Sequence, residues 1–336
     1  MPNPIESPFH PAFAGVVGQN NVKSAFSLSL SNAARMVETG EKIALTWPLL
    51  LGEAGLGKTN LAEIYGRELA SILKVPFIRV ENPEEIRLKV DFDKWFARLE
   101  SEASFVLFLD EVHEMKPNQV SHLYLKSFLM KMGDPSKIGT SIQVGSNFFV
   151  PDRSNKVIIL GTNQAGKVDP AILSRWQTFN LSLYNNQEIL QIAKLLVSKY
   201  NLTVEDDKIL ALISGCGRGT ARPIVNLLND SILPLCISQG TTTISRDIVL
   251  EALRQQEMFP LGFNKAEVEM ISKLGNSTVS KMRITAMVPA LEGVLTKAIA
   301  YACNMNVMKV ENNGHLALTK TGKAYKNKIE EMGFTF

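Results

Sequence analysis

The chain has 336 residues, 45% hydrophobic and 21% charged, which suits two or three folded domains and excludes a disordered or fibrous polypeptide. The apolar run Phe105–Leu109 is too short to span a membrane, and Met1-Pro2-Asn3-Pro4 opens no basic-then-apolar leader, so the expectation is a cytoplasmic protein without a membrane partner. The net charge of +3 is unevenly placed: residues 261–336 hold 10 Lys+Arg against 6 Asp+Glu, a net of +4, and the remainder holds 26 against 27. Cys216, Cys236 and Cys303 are widely spaced and form no CxxC, which predicts ordinary reduced thiols and no zinc site.

In chain order, residues 44–51 form an apolar run that ends in a glycine loop. Residues 60–73 carry helical periodicity; 75–80, 105–109 and 157–160 are short apolar strands. Buried strands separated by helices predict an α/β domain with a parallel sheet covered on both faces. Residues 133–155, rich in Gly, Ser, Asp and Pro, predict an extended hairpin-like insertion before the last of these strands. Beyond Leu183 the pattern turns helical, over 186–199, 205–213, 221–238 and 245–256. After Pro260-Leu261-Gly262 come helices at 264–274 and 291–302. A hairpin then pairs 307–310 with 315–318 through Asn312-Asn313-Gly314, and a last helix covers 324–332. Helices followed by a hairpin predict a winged helix. The expected domains are therefore 1–182, 183–259 and 260–336.

Chemistry concentrates in the first domain. Gly52-Glu53-Ala54-Gly55-Leu56-Gly57-Lys58-Thr59 satisfies G-x-x-x-x-G-K-[ST] between a strand and a helix that continues through Asn60. Such a loop turns backbone N–H groups toward phosphate oxygens, and the following helix adds the positive end of its dipole. Lys58 supplies a mobile cation for the outer phosphates and Thr59 a hydroxyl for Mg²⁺. The strand Phe105–Leu109 delivers Asp110 and Glu111 to the sheet edge where ligands bind. Asp110 is expected to hold Mg²⁺ and Glu111 to polarise the attacking water. The cofactors expected are ATP and Mg²⁺.

The ordered set resembles the AAA+ ATPases and, within them, the RuvB family of branch-migration motors. Val17-Gly18-Gln19 stands before the phosphate loop, and Asp110-Glu111-Val112-His113 resembles the family's Asp-Glu-Ile-His. Gly161-Thr162-Asn163 falls where the family has its first sensor. Asp169 to Trp176 resembles its arginine-finger segment, and Gly219-Thr220-Ala221-Arg222 its second sensor. The insertion and the C-terminal winged helix also match. Leu173 and His10 depart from the family pattern, each standing where an arginine is usual.

The resemblance implies a catalytic set of Lys58, Glu111, Asn163 and Arg175, with Arg175 acting on a neighbouring subunit's phosphate. It implies nucleotide contacts from Val17 and Arg222, although Arg218 lies close enough in sequence to compete for the latter role. His113 fits a reporter of nucleotide state or a structural histidine equally. The resemblance further implies a homo-oligomer, a hexamer by expectation, that moves duplex or junction DNA, with a recombination protein docking at 133–155. Lys309, Lys320, Lys323 and Lys326 are the expected phosphate-backbone contacts, from the charge excess of this segment. The same residues also suit a nucleotide-switched loader of a replication or recombination complex, or a protein-remodelling ATPase.

Overall fold

The computed structural model describes residues 8–86, 89–116, 118–274 and 278–332, arranged as two compact units, Met1–Leu183 and Tyr184–Phe336. The first unit runs α1 (Asn20–Thr39), β1 (Pro48–Leu51), α2 (Lys58–Leu73), β2 (Phe77–Val80), α3 (Lys89–Ser101), β3 (Phe105–Leu109), α4 (Val120–Met132), β4 (Ile142–Val144), β5 (Asn147–Phe149), β6 (Lys156–Thr162), α5 (Pro170–Leu173) and β7 (Gln177–Asn180). Five strands form one parallel sheet in the order β2-β3-β6-β1-β7.

Every residue of β3 and β6 is buried, which explains the apolar runs 105–109 and 157–160 within them. In α1, Val22, Phe26, Leu30 and Ala33 recur at helical spacing and are fully buried. Phe26 stacks on Tyr65 of α2 at 4.1 Å, and the Tyr65 hydroxyl pairs with Ser29 Oγ at 2.8 Å. Burial at this helix contact pushes the Tyr65 phenol far above its ordinary range.

The insertion is a true hairpin, with Ile142 opposite Phe149 and Val144 opposite Asn147. Phe149 enters an aromatic cluster with Phe96 of α3 and Phe128 of α4, at 5.4 and 5.0 Å. Phe148, on the alternate face, is 53% exposed, and Ile138 and Val150 beside the hairpin are exposed too. The Phe148 N–H donates to Glu100, and Lys131 Nζ donates to the Gln143 carbonyl, so the hairpin is fastened at its base to the helices beneath it.

The second unit begins with α6 (Asn186–Lys199), β8 (Thr203–Val204), α7 (Asp207–Gly215), α8 (Arg222–Leu227), α9 (Leu233–Ser238), β9 (Thr243–Ile244) and α10 (Arg246–Gln255). It continues through α11 (Lys265–Leu274), α12 (Lys281–Met287), α13 (Leu295–Asn304), β10 (Met308–Val310), β11 (Leu316–Leu318) and α14 (Lys320–Glu331). Asn185 and Glu188 cap α6 reciprocally, a clear sequence start for the helical layer. The helix expected over 221–238 runs without a break from Arg222 to Ser238, with a π turn at Leu228–Ile232 inside it. Pro234 accounts for this: it has no N–H to give the carbonyl of Asp230, so the ladder widens there.

In the last segment, α12 was not expected, and α13 starts at Leu295 rather than 291 because Pro289 and Gly293 break the chain before it. The wing pairs Met308 with Leu318 and turns at Gly314, whose φ of 77° is the left-handed geometry the Asn-Gly step predicts. The last helix starts four residues earlier than expected: Thr319 caps it through the Gly322 N–H, and Gly322 in the first turn hides that start in the sequence.

Candidate functional site

The sheet order brings three chain segments to one edge. Strands β3, β6 and β1 are adjacent and parallel, so their C-terminal ends place Asp110, Asn163 and Gly52 side by side. The loop from Gly52 to Gly57 then turns into α2, whose first turn carries Lys58, Thr59 and Asn60. Gly55 and Gly57 have φ of 85° and 88°, a geometry that costs a side-chain-bearing residue on the order of 1 kcal/mol. Leu56 between them is buried and anchors the loop. Glu53 and Ala54 lie at the loop's outer turn.

Lys58 is 6% exposed, and its Nζ donates to the carbonyls of Gly52 and Glu53 at 2.7 and 3.0 Å. Its ammonium is thus held over the loop mouth. Thr59 Oγ1 donates to Asp110 Oδ2 at 2.6 Å, and the other carboxylate oxygen, Oδ1, accepts the Glu111 N–H at 2.9 Å. A hydroxyl and a carboxylate brought together in this way are the hard oxygen donors that a Mg²⁺ ion on phosphate takes. Among the described residues no group of three or more His, Cys, Asp or Glu side chains is placed to hold a metal by itself. The donor set therefore suits an ion that arrives with phosphates.

Gly161 shows why this arrangement needs the sensor strand. A Cβ built on Gly161 would stand 2.3 Å from Asp110 Oδ1, so the carboxylate rests against bare backbone of β6. Two residues on, Asn163 Oδ1 is buried without a hydrogen-bond partner. This acceptor at the ligand edge is free to take a hydrogen bond from a donor such as water.

Glu111 takes a left-handed backbone, φ 49° and ψ 41°. Its Oε2 is buried without a hydrogen bond and lies 3.3 Å from His113 Nδ1, which pairs instead with Thr162 Oγ1 at 3.1 Å. His113 Nε2 is 3.0 Å from Glu114 Oε1. His113 is thus a buried link between the acidic end of β3 and the sensor end of β6.

Val17 is half-buried beside Gly18 and Gln19. Gln19 exchanges two bonds with the Ser182 backbone, at 2.8 and 3.1 Å, and the neighbouring Leu181 packs on Gly52. The segment before α1 is in this way pinned next to the phosphate loop.

Arg175 lies elsewhere. It precedes β7, whose first residue Gln177 pairs with Pro48 and whose last, Asn180, pairs with Leu51. At about 3.3 Å per residue the length of β7 alone separates Arg175 from the phosphate-loop edge by roughly 10 Å or more. Trp176 Nε1 donates to the Ile158 carbonyl, near the start of β6, which fixes the segment at that far edge. The Arg175 guanidinium donates to the Ala171 carbonyl at 2.6 Å and stands 4.0 Å from Asp134.

In the second unit Arg222 opens α8, exposed and without a partner among the described residues. Arg218 is committed: it forms a fork with both carboxylate oxygens of Glu267 at 2.9 Å and lies over the Tyr301 ring. Of the four lysines expected at DNA, Lys320 and Lys323 are exposed on α14. Lys309 pairs with Glu311 at 2.8 Å, and Lys326 donates to the Ser272 carbonyl at 3.2 Å, so these two are less available than the sequence alone suggests. Sequence reasoning also missed Lys281 and Arg283, exposed on the unexpected α12.

The phosphate loop, the Asp-Glu strand end and the sensor asparagine on one edge of a five-stranded parallel sheet define a P-loop ATPase of the AAA class. Residues 48–183 match the model of the "ATPase family associated with various cellular activities". Over its length the chain is similar to the Holliday junction branch migration complex subunit RuvB. The Helicobacter pylori protein is 23% identical over 320 residues, covering 94% of this chain and 88% of that one. The Mycoplasmopsis pulmonis protein is 25% identical over 272 residues, 80% of each. Among solved structures, the Thermotoga maritima RuvB Holliday junction branch migration motor shares the fold, with a TM-score of 0.59, 21% identity and coverage of 95% and 96%. The chain thus carries an AAA ATPase domain over residues 48–183 and is distantly similar to RuvB proteins along most of its length.

Proposed function

We propose that the chain is a ring-forming, ATP-driven motor that moves duplex DNA, as its similarity to branch-migration proteins suggests, with Arg175 completing the site of a neighbouring subunit. The observation that carries this reading is the position of Arg175 at the sheet edge opposite its own phosphate loop. An arginine finger placed there serves catalysis only across a head-to-tail contact, and such contacts give rings where the rotation closes and helical filaments where it does not. A hexamer is the assembly proposed.

In this reading Lys58 binds the outer phosphates, and the orphaned Asn163 Oδ1 accepts from the attacking water. Glu111, half-buried with Oε2 3.3 Å from His113, draws a proton from that water. Thr59 and Asp110 hold Mg²⁺, which when bound supplies charge neutralisation on the phosphates. Val17 flanks the base end of the site. Arg222, exposed and unpartnered among the described residues, is the second sensor in preference to Arg218, which is occupied. The hairpin at 133–155, with Phe148, Ile138 and Val150 exposed, is the docking place for a recombination partner protein. The winged helix contacts the DNA backbone through Lys320 and Lys323, helped by Lys309 and Lys326 where their intramolecular partners release them. No helix among the described residues is long and apolar enough to cross a membrane.

The test measures ATP turnover with and without duplex, junction and single-stranded DNA, and duplex affinity across a salt series. Duplex or junction DNA should stimulate turnover. Lys320→Ala with Lys323→Ala should flatten the log–log salt slope by about 2, near 0.9 for each phosphate that is no longer neutralised. Turnover indifferent to DNA, with a stable ATP-bound complex of a replication or recombination protein, would favour a nucleotide-switched loader.

A further inference from the structure

The turn before α8 joins three things that the proposed function leaves separate. It carries Arg222 at its end. Its Gly219 carbonyl accepts the N–H of Tyr184, the first residue of the second unit. Arg218, at its centre, reaches the winged helix: its guanidinium forks onto Glu267 of α11 and lies 3.8 Å from the ring centroid of Tyr301 of α13.

The geometry of this contact is built. Glu267 is 3% exposed, so its charge is tolerable only because Arg218 pairs with both oxygens and the Asn264 N–H adds a third bond at 3.0 Å. Arg218 itself is held at φ 51°, an unfavourable backbone for a residue with a side chain. The Tyr301 hydroxyl donates to the Leu261 carbonyl at 2.5 Å, which fixes the ring face that Arg218 covers. Gly262 lies against the aliphatic stem of the same side chain: a Cβ there would sit 2.9 Å from Arg218 Cγ and 2.8 Å from the Cys216 carbonyl oxygen. A planar, five-donor fork on a buried carboxylate with an aromatic floor has one orientation, which lysine does not reproduce.

We infer that Arg218 is a positioning residue that makes the Arg222 turn and the winged helix a single moving element, so that nucleotide contact at Arg222 is transmitted to α11 and α13. This inference rests on the reading of Arg222 as a nucleotide sensor. It assigns no direct nucleotide contact to Arg218, and it explains why two arginines four residues apart in one short turn are not redundant.

Hydrogen exchange on the full chain, with and without ATPγS and without DNA, tests it. In the natural protein, ATPγS should slow exchange over residues 216–222 and also at the start of α11, residues 264–268. In Glu267→Gln the first response should remain and the second should fall by at least half. Arg218→Lys, which keeps the charge but not the fork, should show the same loss and carries the test if Glu267→Gln does not fold. An α11 response in both variants equal to that of the natural protein would overturn the inference, as would a natural protein whose α11 ignores nucleotide while 216–222 responds. A natural protein that binds ATPγS but responds at neither segment would remove Arg222 as the sensor, and the inference with it. DNA plays no part in these readouts, so failure of the motor reading is seen separately, in the turnover assay.

Discussion

Thr59 and Asp110 come from different elements, 51 positions apart, and meet through a 2.6 Å bond between Thr59 Oγ1 and Asp110 Oδ2. This bond ties the first turn of α2 to the end of β3. It brings together the two oxygens proposed above to hold Mg²⁺.

The two halves of the site should therefore separate by mutation. Lys58→Ala removes the cation held over the loop mouth and should abolish measurable binding of a fluorescent ATP analogue. Glu111→Gln leaves Thr59 and Asp110 in place and should bind that analogue normally. Its phosphate release should fall by roughly 10²-fold or more, the usual worth of a positioned base. Equal loss of binding in both variants would remove the role given to Glu111.

Gly161 is a sharper probe of the same geometry. Gly161→Ala forces a methyl group toward Asp110 Oδ1. The carboxylate must move, so Mg²⁺-dependent nucleotide affinity should drop while affinity without Mg²⁺ changes little. Overpacking of this kind also costs about 1–3 kcal/mol of stability, which a urea melt measures. Unchanged Mg²⁺ dependence would show that Asp110 is not the metal-side carboxylate.

The thiols give a check on the second unit. Burial pushes the Cys216 thiol up to about 12, and Cys236 and Cys303 are raised by the same cause. A raised folded-state value keeps the thiol protonated above its ordinary range, so the thiolate that attacks a disulfide reagent is scarce at neutral pH. Cys303 is half-buried and the other two are buried. Cys303 should react first with a thiol reagent, and Cys216 only on unfolding. Early modification of Cys216, seen by mass spectrometry, would contradict the packing beside Gly262.

The sequence made the nucleotide edge legible because its residues are contiguous: the loop 52–59 and the strand 105–111 each carry their chemistry in one run. The helix α1 was hidden for a physical reason. Its Ser-Leu-Ser-Leu-Ser stretch alternates with period two and is rich in poor helix formers, while the true signal, Val22, Phe26, Leu30 and Ala33, is spread over three turns. The short α12, only seven residues long, gives too few repeats to register a period. The role of Arg218 was invisible for another reason. Its partner Glu267 lies 49 residues away, and no local pattern announces a pair formed at that separation. The same holds for Lys326, whose bond to the Ser272 carbonyl appears only once α14 is packed on α11.

Arg175 decides the account. Its place before β7, anchored through Trp176 to the Ile158 carbonyl, puts it out of reach of its own phosphate loop. Arg175→Ala should keep ATP binding and lose turnover by roughly 10³-fold or more, the worth of an arginine finger. The most direct measurement mixes Arg175→Ala protein with Glu111→Gln protein, each almost inactive alone, and follows phosphate release. In a randomly mixed 1:1 assembly roughly a quarter of head-to-tail contacts join an intact Glu111 to an intact Arg175. Turnover should therefore recover well above the sum of the two variants. Mixed assemblies, verified by subunit exchange, that stay at that sum would show that Arg175 does not complete a neighbour's site.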